Sequence, residues 1–477
     1  MIVAWSIAGR TSWVWLPLMG VVLMAYCADA WAFQGPLRVC PDNPRYFTDD
    51  SGRAIYLTGS HTWATLQERA GEDTPLFDYD EYLDFMQAHN HNLLRLWTWE
   101  HAAWMQFTDQ MIRYSPNRYA RTGPGAALDG LPRFDLTRFD EEYFARLRAR
   151  VEAAGERGIY VMVMLFQGFS IEQKGTQGVD PSRGNPWDGH PFNARNNING
   201  IDGDLNGDGE GQEVHTLASP EITALQDACV RKVIDTLGDL DHVLWEISNE
   251  SHGESTAWQY HMIYLIHEYE RGRPLQHPVV MTFQYAGGTN ADLFASPAEA
   301  ISPSSAGGYE LDPPAADGSK VVLADTDHIC ALRGDRAWVW KSFCRGLNPI
   351  FMDPYRDVRM RHRYDPGFDD VRRNMGYTLS YARRIDLVHM APHGELCSSG
   401  YCLVNAGREY LVYSPEPGQV TIDLSDADVA LQVEWFDPAE GRTIAGDDVN
   451  GGGRVEFASP FASDFVLYLH VEAARRD

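Results

Sequence analysis

The sequence predicts an α/β protein: a (β/α)8 TIM barrel followed by a small antiparallel β-sandwich. Two observations carry that expectation. From Ala54 to Tyr355, eight short apolar, β-branched runs alternate with amphipathic helical stretches, the pattern of parallel strands joined by helices. After about residue 391 the texture changes to short alternating runs separated by Gly, Pro and Asp turns, the pattern of an antiparallel sandwich.

The eight runs are AIYLTGS (54–60), NLLRLWTW (92–99), IYVMVMLF (159–166), HVLWEIS (242–248), PVVMTFQ (278–284), the short EAISP (299–303), KVVLADT (320–326) and NPIFMDP (348–354). Between them lie amphipathic stretches such as FDYDEYLDFMQAHN and DEEYFARLRARVEAAGERG, the second ending on a glycine able to cap its C-terminus. In such a barrel the loops after the strands build the active site, so polar residues at strand carboxyl ends are functional candidates. The barrel is expected over residues 33–390 and the sandwich over 391–477, packed directly on each other because no low-complexity linker separates them. The sandwich carries no catalytic constellation, so a chain ending near residue 391 is expected to keep activity on a small soluble substrate.

A chain of 477 residues with 44% hydrophobic composition can bury a large core. Its formal charge of −27 and pI near 4.9 repel phosphate backbones, and no basic run occurs, which sets nucleic acid aside. Residues 11–26 are apolar, preceded by Arg10 and followed by the small residues of CADAWAF, the layout of a secretory signal peptide over residues 1–32. The competing reading is an uncleaved membrane anchor, although the stretch falls short of the roughly 20 residues a spanning helix needs. Secretion or periplasmic export is the expectation, with no other membrane segment and the oligomeric state left open. Beyond the leader stand Cys40, Cys229, Cys330, Cys344, Cys397 and Cys402. CSSGYC, with Cys397 and Cys402 flanking a turn, reads as a local bridge, and a Cys330–Cys344 staple is an even choice.

The fourth run ends on bare polar residues. In HVLWEISNES, Asn249 and Glu250 follow an apolar strand and stand at its active-site end. An aliphatic-x-Glu-aliphatic-x-Asn-Glu run in this place resembles the retaining (β/α)8 glycosidases, and LTGSHTW, LRLWTWE, ADTDH and WVWKSFCRGLNPIFMDPY narrow the resemblance to the apiosidase-like (DUF4038-type) glycoside hydrolases over about residues 40–355. In that family the C-terminal sandwich is often labelled collagen-binding, a label that no motif of this module supports. The resemblance implies that Glu250 is the acid/base and that Asn249 holds a sugar 2-hydroxyl.

Glycosidic cleavage needs one carboxylic acid to protonate the leaving oxygen and a second carboxylate to attack the anomeric carbon or activate water. The seventh run departs from the family, offering Asp325 and Asp327 where a Glu is usual. Aligned by its aliphatic run, Asp325 takes the nucleophile's place; Asp327 would lie about 6 to 7 Å further along a regular strand, as a hydroxyl ligand or as the second carboxylate itself. The choice bears on stereochemistry, since carboxyls about 5 Å apart imply retention and those about 6.5 to 9.5 Å apart inversion. By the same resemblance Arg95 keeps the nucleophile ionised. His61, Trp63, Trp97, Trp99, Gln284, Tyr285 and His328 are candidate hydroxyl ligands or stacking platforms, and Glu100 and Asp353 further ligands.

DGDLNGDGEGQE (202–213) fits a calcium-loop pattern, with Asp202, Asp204, Asn206, Asp208, Glu210 and Glu213 as oxygen ligands and Gly207 at the sharp turn, for a structural Ca2+ ion. No organic cofactor is expected. The rival function is a non-catalytic polysaccharide- or matrix-binding protein on a barrel scaffold. An esterase or protease is disfavoured by the lack of a G-x-S-x-G elbow and of an H-E-x-x-H helix.

Overall fold

The computed structural model describes residues 33–71, 75–105, 111–174, 184–356 and 364–471. The signal-peptide reading of residues 1–32 lies outside them. The chain from Phe33 onward is one compact unit.

All eight expected strands form. They are β1 (Gly59–His61), β2 (Leu93–Leu96), β3 (Tyr160–Gln167), β4 (Val243–Asn249), β5 (Val279–Thr282), β6 (Ala300–Ser302), β7 (Val321–Asp325) and β8 (Asn348–Met352). They pair in parallel in the order β1-β8-β7-β6-β5-β4-β3-β2. Below β1 and β2, the Thr58 carbonyl accepts the N–H groups of Asn92 and Leu93 at 2.9 and 3.1 Å, closing the ring. Asn92 seals the joint from its side chain, accepting from Thr58 N at 2.9 Å and donating to Tyr56 O at 2.8 Å. Gly59 permits the approach, because a Cβ there would lie 1.9 Å from the Leu93 carbonyl oxygen.

Strand periodicity sets what the barrel encloses. Leu93, Leu244 and Leu323 belong to an apolar layer with Leu57, Met162, Val280 and Ile350. Successive residues alternate faces, so two positions further along the same strands stand Arg95, Glu246 and Asp325, which meet inside the barrel above that layer. The helices α1 (Tyr79–Ala88), α2 (Glu141–Gly155), α3 (Pro220–Leu237), α4 (Thr256–Glu270), α5 (Asn290–Ala295), α6 (Thr326–Ile329), α7 (Arg336–Cys344) and α8 (Asp369–Arg384) follow the strands. Asp78, Asp140 and Ser219 cap the first three by accepting a first-turn N–H. Beyond α2, Gly158 adopts φ 71° and turns the chain into β3, the stop expected from the sequence.

The C-terminal region is antiparallel. Its larger sheet runs β9 (Tyr401–Asn405), β10 (Glu409–Ser414), β15 (Phe465–His470), β12 (Ala430–Asp437) and β13 (Arg442–Ala445), while β11 (Gln419–Asp423) pairs with β14 (Arg454–Ala458). Both faces of the larger sheet are buried. Val404, Val412, Leu467 and Leu469 pack with Val420, Ile422 and Phe457 of the smaller sheet. The alternate residues Leu403, Leu411, Tyr413 and Val466 pack against Trp340 and Phe343 of α7 and Leu379 and Tyr381 of α8. Barrel and sandwich therefore share a core.

All six described cysteines are buried free thiols, so neither expected bridge is present. Hydrogen bonding from the Cys402 thiol, and then from Ser399, pulls the Cys397 thiol down to about 6 against the effect of burial.

Candidate active site

Arg95, fully buried on β2, is the hub. Its Nε and Nη2 donate to the two Glu246 carboxylate oxygens at 2.8 and 2.6 Å, Nη2 also donates to Asn249 Oδ1 at 2.6 Å, and Nη1 donates to Asp325 Oδ2 at 3.2 Å and Asp327 Oδ2 at 2.8 Å. One cation thus faces three carboxylates. A buried guanidinium persists only with such partners, and Arg supplies the fork of donors this requires.

Asp325 ends β7 and is 1% exposed. Its Oδ1 contacts His61 Nε2 at 3.1 Å and accepts the Asp327 N–H at 3.0 Å. Burial would raise its carboxyl, but His61 and Arg95 outweigh that and hold it well below the usual carboxylate range. The strand does not continue regularly to Asp327, as a straight extrapolation expected. Asp325 instead caps the short helix α6, and that turn folds Asp327 back onto Arg95. Asp327 is the more open of the two, 10% exposed at its side chain, and its Oδ1 has no hydrogen-bond partner among the described residues.

Glu250 follows β4 and is 7% exposed. Burial, and then the negative charge of Asp327, push its carboxyl up to about 8, while Lys174 and Arg95 pull the other way. Its backbone is left-handed, φ 46°, a conformation that costs a non-glycine residue roughly 1 to 3 kcal/mol and persists only where the surroundings over-determine it. Gly168, just past β3, lies so close that a Cβ there would be 2.3 Å from the Glu250 carbonyl oxygen.

Asn249 is engaged within the site. Its Oδ1 takes Arg95 and contacts His328 Nε2 at 3.1 Å, and its Nδ2 donates to Gln167 Oε1 at 2.9 Å, leaving one N–H free among the described residues. His328 Nδ1 lies 2.7 Å from Ser302 Oγ; burial and the Arg95 charge push this histidine down to about 4, so it is neutral near pH 7.

The remaining expected residues divide. Trp63, Trp97 and Trp99 sit in a buried aromatic cluster with Trp104 and Tyr114 and are no open platforms. Trp97 stacks on the His61 ring, 5.3 Å away, and has the Arg95 guanidinium 4.9 Å from its ring centroid. The Trp97 Nε1 and His61 Nδ1 atoms are buried without hydrogen-bond partners among the described residues. Gln284 is a brace, donating to Ser255 Oγ and Thr256 Oγ1, each at 3.0 Å. Tyr285 is 37% exposed and remains available for stacking. Neither Glu100 nor Asp353 is a free ligand: Glu100 accepts the Gln167 N–H at 2.8 Å and contacts His215 at 3.1 Å, while Asp353 takes two bonds from Arg372 at 2.6 and 2.8 Å.

In the 202–213 loop the side chains turn onto the loop's own amides. Asp204 accepts from Gly207 and Gly209, at 2.7 and 2.9 Å, Asn206 from Asp208 at 2.8 Å, and Asp208 from Glu210 at 2.9 Å. Among the described residues Asp202 accepts only from Asp204 N, at 3.3 Å, whereas Asp204 holds the amide five residues on. Among the described residues no three His, Cys, Asp or Glu side chains are grouped as a metal site.

Several residues of the site were given no role from the sequence, among them Glu246, Gln167, Gly168 and Lys174. Glu246 had a legible signal, a carboxylate on the inward face of a barrel strand in the same alternation as Glu250. Lys174 had none; a loop lysine in EQKG reaches the Glu250 carbonyl only through the fold.

The sequence model described as "Domain of unknown function (DUF6298)" matches residues 95–283, and that described as "Putative collagen-binding domain of a collagenase" matches residues 397–470. No curated protein matches the chain. Among solved structures, one titled "Glycoside hydrolase" aligns at TM-score 0.61 and 13% identity over 92% of this chain and 98% of its own. A glycoside hydrolase family 5 protein from Bacteroides vulgatus ATCC 8482 aligns at TM-score 0.59 and 13% identity over 93% of this chain and 95% of its own. The chain thus has the (β/α)8 barrel and β-sandwich architecture of these structures.

Proposed function

We propose that the protein is a glycoside hydrolase that cleaves O-glycosidic bonds of an oligo- or polysaccharide. The observation that carries this reading is a pair of carboxyls in opposite states at the ends of β4 and β7. Glu250 keeps its proton up to about 8, and Asp325 is held ionised by His61 and Arg95. A protonated carboxyl beside an ionised one is what acid-assisted glycosyl transfer requires. Glu250 gives its proton to the leaving oxygen as Asp325 attacks the anomeric carbon with inversion to form a glycosyl-enzyme; Glu250, then ionised, takes a proton from the water that attacks the same carbon, releasing the sugar and Asp325 with net retention. Asn249, with its free N–H, and Tyr285 supply sugar contacts. The barrel shared with glycoside hydrolases supports the reading by analogy.

A second reading exchanges Asp325 for Asp327, favoured by the unpartnered Oδ1 and greater exposure of Asp327 and by its stronger influence on Glu250. Export through residues 1–32, membership of the apiosidase-like group and a structural Ca2+ ion at residues 202–213 belong to the same proposal. A digestion screen over a panel of plant and bacterial glycans tests the central reading. Release of sugar that Glu250→Gln abolishes supports it; binding of glycan without hydrolysis favours the scaffold alternative.

A further inference from the structure

The left-handed Glu250 peptide has a neighbour that lies on another loop. Past the turn Gly168–Ser170, the chain after β3 brings Lys174 to the Glu250 peptide, where its ammonium donates to the Glu250 carbonyl. Lys174 is 3% exposed. It is held by Glu172 Oε1 at 2.8 Å, and it lies 4.9 Å from the Tyr285 ring centroid and 5.7 Å from that of Phe169. Its strap is anchored in turn to the acidic loop: Gln212 donates to Glu172, and Glu210 accepts the Gln173 N–H at 3.3 Å.

We propose that Lys174 is a positioning residue for Glu250: with Gly168 it clamps the Glu250 peptide in its left-handed conformation and so fixes the aim of the carboxyl. This rests on the reading of Glu250 as proton donor. A freed peptide would relax toward the common backbone regions and swing the carboxyl away from the leaving oxygen.

The clamp is also a charge. Facing Glu250 are Arg95 from β2, Lys174 from the strap after β3, and Asp325 and Asp327 from the end of β7 and from α6. Facing Lys174 are Glu172, Glu250 and Glu210. Burial draws the Lys174 ammonium downward, and Glu172 and Glu250 resist it. Loss of the ammonium removes a cation that favours ionised Glu250, so the carboxyl keeps its proton to higher pH.

Lys174→Met tests both parts. On a substrate with a poor leaving group, kcat should fall by up to about 10²-fold with KM little changed, and the alkaline limb of kcat/KM should move up by about one pH unit. Lys174→Arg, which keeps donor and charge, should leave the limb in place and restore part of kcat. A limb and kcat both unmoved in Lys174→Met overturn the proposal, as does a loss of activity that melting shows to be unfolding and that Lys174→Gln, folded, does not reproduce. A 13C-carboxyl titration of Glu250, assigned against Glu250→Gln, follows the same shift without turnover. If Glu250→Gln hydrolyses glycosides like the wild type, the proton-donor reading fails while this titration still decides whether Lys174 governs the carboxyl.

Discussion

Asp325 accepts the backbone N–H of Asp327 at 3.0 Å, and both carboxylates bond the same Arg95 nitrogen, at 3.2 and 2.8 Å. The two are therefore not interchangeable neighbours on a strand. One is the cap and the other the cargo of a single turn, and substitution separates their roles.

If Asp325 is the nucleophile, Asp325→Asn abolishes turnover for every leaving group, while Asp327→Asn chiefly raises KM. The reverse pattern assigns the chemistry to Asp327. Because the Asp325 cap survives in Asn, far-ultraviolet circular dichroism should be unchanged in both variants.

Glu250→Gln should slow hydrolysis of poor leaving groups by about 10² to 10⁴-fold and of activated aryl glycosides far less, since only the former need protonation in the transition state. Added azide should restore the deglycosylation step and yield a glycosyl azide of retained configuration. Turnover at the wild-type rate would remove Glu250 from the mechanism.

The pH profile follows from the signs of the two shifts. Glu250 is raised, so its active, protonated form persists until the pH climbs through about 8, above which activity falls. Asp325 is lowered, so its active, ionised form is already present throughout the mildly acidic range. Activity should be broad from mildly acidic to neutral pH, and a profile that collapses between pH 5 and 6 would contradict the assignment.

Glu246→Ala should destabilise the fold by about 3 kcal/mol or more, because it removes two of the bonds that hold a buried guanidinium. Thermal melting measures the loss. The accompanying drop in activity should exceed that of a Leu244→Ala variant of equal stability, since Glu246, unlike Leu244, bonds Arg95 and helps to orient it against Asp325.

A chain ending at residue 390 should not keep a native barrel, contrary to the expectation for a detachable module. Trp340 is fully buried, 6.2 Å from the Tyr413 ring and 5.8 Å from the Phe436 ring, and truncation leaves it in water with Leu379 and Tyr381. Red-shifted tryptophan fluorescence and rapid proteolysis are the expected results; an active, protease-resistant barrel would show that the shared core is dispensable. For the 202–213 loop, chelation should lower the melting temperature, and Asp204→Ala should remove that response more completely than Asp202→Ala. A chelator without effect ends the calcium proposal.

The sequence by itself located the strands but not their bounds: the first run was expected over 54–60 and forms a strand at Gly59–His61, and the second was expected to reach Trp99 and ends at Leu96. Apolar, β-branched runs alternating with helical stretches located all eight barrel strands, and the run WEISNE marked Asn249 and Glu250 because polar residues that close an apolar barrel strand stand at its active-site end. It also announced the sandwich through its turn residues. What only the tertiary structure decided were relations between segments distant along the chain. The turn that draws Asp327 onto Arg95 depends on a cap, not on strand geometry, and the pairing of Arg95 with Glu246 spans 151 residues. Lys174 meets Glu250 only because β3 and β4 are neighbours in the ring. The burial of Trp63, Trp97 and Trp99 depends likewise on which residues pack above them, a matter of three-dimensional contact to which local pattern is blind.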